Sequence, residues 1–393
     1  MMKVLTSYNA EHPDYNIALE VHPFAGLSAS VATQVAGGAG PDMTIMHPQW
    51  LTFWAEQEVV LPVDDLVKAS PEYHPEDYPA EACKQLIYKG KTYGFPHASW
   101  PTITYFNKTL FDKVGVPYPT EFIGGFENVT DDWTWDKLVE LAVPLTTGEG
   151  VDKTFGLARQ FGAVPTSILH AYQVVYAWGG EFWNEEQTET LVCQEAAMDA
   201  IKFQVDLVTK YNVAPAAAQA EGIPGGPNSG RYGMWMWNRS EVPGFENVEF
   251  DLGMAPYPRG PKGRVTRDCP LTVAINRQSK YIQQCWEYCM FMSGPKPGEI
   301  GGHGYRLKMH QSIPVRKSLF DHPAFLETLL PWESKEIYRD AADRVLSLPS
   351  PARLVEMNRV FGEQLEAILL GKITVEEGLA FFCKEANELL KPA

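Results

Sequence analysis

Positive charge is scarce in this chain: its 393 residues hold 33 Lys and Arg against 49 Asp and Glu, a formal net charge of −16 at pH 7. A nucleic-acid surface needs clustered Lys and Arg to displace counterions, so no nucleic-acid partner is expected. Cysteine is scarce too. The six present, Cys83, Cys193, Cys269, Cys285, Cys289 and Cys383, are scattered rather than framed as in a disulfide-rich or zinc-binding chain. Cys285 and Cys289 stand four apart in a helical stretch and face the same way, but no His or second Cys pair completes a tetrahedral site. They are expected to be small buried residues, with one or two disulfides open to an exported protein. Long apolar runs are missing, and no window approaches the roughly 18 residues of a membrane span. Catalytic signatures are missing as well: no G-x-S-x-G, no His-Glu-x-x-His, no Walker A and no dinucleotide glycine fingerprint. Gly37-Gly38-Ala39-Gly40 follows a predicted helix and precedes a strand, the reverse of a phosphate-cradling order. No cofactor and no metal are expected.

What the chain does have is length and aromatic bulk. A hydrophobic content of 45% over 393 residues suffices for two domains, each with its own core. The 11 Trp and 17 Tyr exceed what packing needs, which fits stacking surfaces for sugar rings. Strands are predicted at 17–22, 43–46, 101–106, 232–238 and 271–276. Helices are predicted at 28–37, 135–144, 164–178, 194–211 and 280–292. Strands alternating with amphipathic helices indicate α/β layers, in which ligands sit beyond the carboxyl ends of the strands. Of three Asn-x-Ser/Thr triplets, at Asn107, Asn128 and Asn238, none is given weight.

The stretch from Tyr88 to Thr120 carries Gly90-Lys91-Thr92-Tyr93-Gly94-Phe95-Pro96, then Phe106-Asn107-Lys108 with Leu110, Phe111 and Gly115. After an insertion from Glu121 to Asp132 comes Trp133-Thr134-Trp135-Asp136. This order resembles the family 1 extracellular solute-binding proteins of ABC importers, with Phe106 in place of the usual Tyr. Gly40-Pro41-Asp42, Leu61-Pro62-Val63-Asp64-Asp65-Leu66, Trp178-Gly179-Gly180, Ala255-Pro256-Tyr257-Pro258, Ile313-Pro314-Val315-Arg316 and Gly371 to Glu377 extend the likeness over most of the chain. The resemblance implies a two-lobed periplasmic-binding-protein-like fold of type II, each lobe a doubly wound sheet flanked by helices. It places residues 1–103 and 265–313 in the N-terminal lobe, 104–258 and 316–393 in the second, and hinge crossings at 259–264 and 314–315. It also implies that the first strand is missing, since Val4 to His12 matches the end of the family's first helix. A start upstream of Met1, with a signal peptide, is therefore expected, as is a periplasmic or surface-anchored location.

Sugar recognition needs flat apolar faces for ring C–H groups, and acids, amides or Arg for hydroxyls. Trp235 and Trp237 alternate on one strand and point to the same face, followed by Asn238. The resemblance adds the loop His47, Gln49 and Trp50, the hinge residues His97 and Trp100, and Trp178-Gly179-Gly180. Arg267 and Asp268 stand where the family often has Gly-Gly, supplying a donor fork and an acceptor pair. Tyr305 and Arg306 are weaker candidates. The expected activity is non-enzymatic capture of a sugar or small oligosaccharide by a monomer that delivers it to membrane permease subunits. Two other readings stay open: the same fold taking a polyamine, glycerophosphodiester or ferric ion, and a carbohydrate-active enzyme with two carboxylates astride a cleft.

Overall fold

The computed structural model describes residues 2–391 apart from 15, 25, 126–131, 160–163, 165, 348–349 and 352. Half of the Glu121–Asp132 insertion and the whole Asn128 triplet thus lie outside the described residues. The chain divides into two compact units, Met1–Trp100 with Cys269–Thr328, and Pro101–Asp268 with Leu329–Ala393.

The first unit is built on a three-stranded antiparallel sheet in the order Met43–Met46, Leu271–Ile275, Pro96–Ala98. Its Val273 and Ile275 pack with Trp286, Cys285 and Cys289 of the helix Ile282–Ser293, as the shared face of the two cysteines requires. The strand expected at Ile17–His22 does not form; this segment has no regular structure, and Leu19, Val21 and Phe24 are exposed. A strand exists only against a hydrogen-bonding neighbour. Here Ile17 bonds instead to the Asn9 side chain, its N–H to Oδ1 and its carbonyl to Nδ2, each at 3.0 Å.

The second unit holds a four-stranded sheet in the order Phe155–Leu157, Tyr232–Trp237, Ile103–Asn107, Leu252–Ala255. The first pair is parallel and the other two antiparallel. Met234 and Met236 point from the second strand into a large core with Trp133, Trp135, Tyr172, Phe361 and Phe382. Local chemistry sets the helix ends. Asn107 Oδ1 accepts from Leu110 N at 3.1 Å to open the helix Lys108–Val114, and Gly115 at φ 76° closes it. Thr374 and Glu377 form a reciprocal capping box at the start of Val375–Leu389. A disulfide joins Cys193 to Cys383, with Cα atoms 6.5 Å apart. Cys83 is half-buried, and Cys269, Cys285 and Cys289 are buried thiols.

The first crossing falls after Trp100, earlier than the sequence suggested, and the other two fall later in the chain. Residues 265–268 stay with the second unit because Thr266–Arg267 pairs with Val345–Leu346, beside a buried Arg264–Asp340 ion pair at 3.2 Å. Residues 316–328 stay with the first. There the buried Arg316 guanidinium donates to Gly294 O at 3.0 Å and Tyr73 O at 2.8 Å, and lies over the Tyr73 and Tyr78 rings.

Candidate functional site

In the first unit the strand Met43–Met46 delivers His47, whose Nδ1 accepts from Gln49 N at 3.3 Å and caps the turn Pro48–Trp50. His47 Nε2 lies 2.6 Å from Cys269 Sγ. Trp50 is a core residue rather than an open stacking face: Trp54 and Phe24 cover it, at centroid distances of 5.4 and 5.1 Å. His97 is fully buried on Pro96–Ala98, with Nε2 3.0 Å from Arg306 Nη2. Burial, and then the charge of Arg306, hold its imidazole well below the usual His range. Trp100 donates its indole N–H to Gln311 O. Tyr305 packs beside Val4, Leu5 and Tyr8. His97 and Trp100 thus have places in the packing that the sequence did not show.

In the second unit, Trp235 and Trp237 share a face of their strand, as alternation dictates, but have different surroundings. Trp235 is closed in by Tyr105, stacked at 6.0 Å, and by Phe245 at 5.5 Å and Phe250 at 6.3 Å. Two residues on, Trp237 is only part-buried, and the Arg267 guanidinium lies 5.9 Å from its ring centroid. Glu241 lies close to the Trp237 indole; burial pushes its carboxyl up, and the neighbouring indole pulls it back. Asn238 is taken up as a cap, its Oδ1 accepting from Ser240 N at 3.0 Å.

Trp178-Gly179-Gly180 ends the helix Ile168–Ala177. The Trp178 ring rests on Phe203 at 4.9 Å, and Gly179 takes the left-handed φ of 85°. A Cβ at Gly180 would come within 2.6 Å of Ala197 N, so close packing alone requires this glycine.

Two residues of that helix, missed in the sequence, stand near Arg267. Gln173 is fully buried, and its Oε1 accepts from Arg267 N at 3.2 Å. One turn earlier, His170 Nδ1 lies 2.8 Å from Thr166 Oγ1. Burial, and then Arg267, lower the His170 pKa to about 3. Their signal was faint: two polar residues three apart in an otherwise apolar helix. Asp268, next to Arg267, is buried. The second unit therefore gathers Trp237, Gln173 and His170 around Arg267, an aromatic ring and hydrogen-bonding groups about one guanidinium. A cavity of about 390 Å³ lies elsewhere in this unit, near the opposite end of the Tyr232–Trp237 strand, lined by Asn107, Leu110, Asn228, Gly230, Asn247 and Phe250. None of the candidate residues lines it.

Residues 1–299 match the family model of the bacterial extracellular solute-binding proteins. A candidate binding protein of Brucella abortus is 24% identical over 304 residues, 74% of this chain and 67% of its own length. The arabinooligosaccharide-binding protein of Halalkalibacterium halodurans is 28% identical over 239 residues, 59% of this chain and 47% of its own length. Among solved structures, an ABC substrate-binding protein of Listeria monocytogenes in complex with cycloalternan superposes with a TM-score of 0.84 at 20% identity, covering 99% of this chain and 95% of that one. The two units thus have the fold of the two-lobed periplasmic binding proteins. The chain belongs to the bacterial extracellular solute-binding proteins, the solute-binding components of ABC transporters, which work in the periplasm or at the cell surface.

Proposed function

We propose that the protein captures a sugar or small oligosaccharide as a monomer and hands it to membrane permease subunits, with no covalent step. The part-buried Trp237 indole, with Arg267 and Glu241 beside it and Gln173 holding the Arg267 backbone, carries this reading. Its flat face suits the C–H side of a sugar ring, and its polar neighbours suit the hydroxyls. The relatives that bind an arabinooligosaccharide and cycloalternan support the same ligand class. On the first unit, His47, Gln49, Trp100, Tyr305 and Arg306 are the candidates that are only part-buried. Ligand contacts made better in one conformation than in another would favour the state a permease recognises.

A thermal-shift screen against mono-, di- and trisaccharides, with tryptophan fluorescence read in parallel, tests this. A ligand bound only by the folded state must raise the melting temperature. A sugar that does so at micromolar concentration and changes Trp emission is the expected result. Silence from every sugar, with a polyamine or an iron salt stabilising the fold instead, would overturn it.

A further inference from the structure

Arg267 is only 5% exposed, yet its guanidinium makes no hydrogen bond and no ion pair among the described residues, and its Nε is left without an acceptor. Arg267 is held in place instead by its backbone: its N–H donates to Gln173 Oε1, and the strand Thr266–Arg267 pairs with Val345–Leu346. Gln173 presents a second orphan, since its Nε2 is buried without a partner while its Oε1 is occupied. Two buried donors from different elements thus lack acceptors at Arg267, whose guanidinium stands beside the part-buried ring of Trp237.

Burying a guanidinium without a counter-charge is costly, and folded proteins keep such groups where an anion completes them. Other buried arginines of this unit show the usual arrangement: Arg239 pairs with Glu333 and Arg264 with Asp340. Arg267 is the exception among these three. The planar fork of a guanidinium matches an anionic oxygen group, whether carboxylate or phosphate, and Gln173 Nε2 would add a neutral donor to the same group.

Building on the sugar-binding reading, we propose that the ligand is an acidic saccharide whose anionic oxygen group pairs with Arg267 and Gln173 while a sugar ring lies on Trp237. A neutral oligosaccharide would leave the guanidinium uncompensated. A uronic-acid carboxylate is the favoured source of the charge, because it is attached directly to a ring that can stack.

The test is titration calorimetry of the full chain with three sets of probes. These are galacturonate and glucuronate oligomers of two to four residues, neutral arabino-, xylo- and maltooligosaccharides of the same lengths, and sugar phosphates with glycerophosphocholine. Binding by a uronate oligomer, weakened by salt and reduced about 30-fold or more in Arg267→Gln, is expected. Arg267→Lys, which keeps the charge and loses the fork, should fall between the two. Melting temperatures of both variants show that they are folded, and Gln173→Leu provides an independent variant that leaves the arginine intact. Preference for a phosphate compound with the same Arg267 dependence would overturn the uronate and keep the anion. Tight binding of a neutral oligosaccharide, insensitive to Arg267→Gln, would overturn the acidic ligand and leave the sugar reading standing. Failure of every sugar, acidic or neutral, would overturn both.

Discussion

Arg239 and Glu333 form an ion pair with no solvent access to either side chain: Nε donates to Oε1 at 2.9 Å and Nη2 to Oε2 at 3.4 Å. Leu330 N donates to Oε2 at 2.9 Å, and Tyr338 Oη donates to Oε1. Glu333 thus accepts from the segment just after the 328/329 boundary, from the helix Lys335–Asp343 and from the end of the Tyr232–Trp237 strand. Removing it strands a buried guanidinium and two other donors. Glu333→Ala should therefore cost about 3–5 kcal/mol in urea unfolding of the second unit. A variant as stable as the parent would show that the pair contributes nothing net.

The Cys193–Cys383 disulfide closes a loop of 190 residues and ties the start of Glu195–Thr209 to Val375–Leu389. Long loops lose the most chain entropy when cross-linked, so reduction should cost about 2–4 kcal/mol. Thiol titration of the denatured, unreduced protein should count four free thiols, and six after reductant. Counting six before reduction would exclude the bond.

Acid should weaken the fold above the usual carboxylate range. His97 and His170 are both kept neutral by burial and a neighbouring Arg, His170 with a pKa of about 3. The unfolded chain binds these protons near pH 6.5 and the folded chain does not, so stability is complete above about pH 6.5 and falls as pH drops towards 3. Glu241, whose carboxyl is raised by burial, acts in the opposite sense. The melting temperature should decline between pH 7 and 5, and His170→Gln should flatten that decline. An unchanged slope in the variant would remove His170 from the account.

Features that depend on a few neighbouring residues could be read from the sequence. Asn107 and Gly115 bracket their helix, and Thr374 with Glu377 opens another, because caps act within one turn. What depends on a distant partner could not. Ile17–His22 has strand chemistry but no strand beside it, and Cys193 finds its partner across 190 residues. The same holds within the candidate site. Arg267 and Asp268 stood out only because they depart from the family pattern, while His170 and Gln173 were hidden in an apolar helix until the Thr266–Arg267 strand was laid against it.

Trp235 and Trp237 supply the sharpest contrast between packing and binding, since strand alternation alone treats them as equals. Tyr105, Phe245 and Phe250 surround the first, so Trp235→Ala should open a cavity and cost about 3–5 kcal/mol. Trp237 has a part-buried ring beside Arg267, and its loss removes less packing. Trp237→Ala should keep a melting temperature within a few degrees of the parent while weakening the stabilising saccharide about tenfold or more. Paired denaturation and calorimetry separate these outcomes. If Trp237→Ala unfolds like Trp235→Ala, or binds sugar as the parent does, the aromatic face belongs to the core and the ligand lies elsewhere.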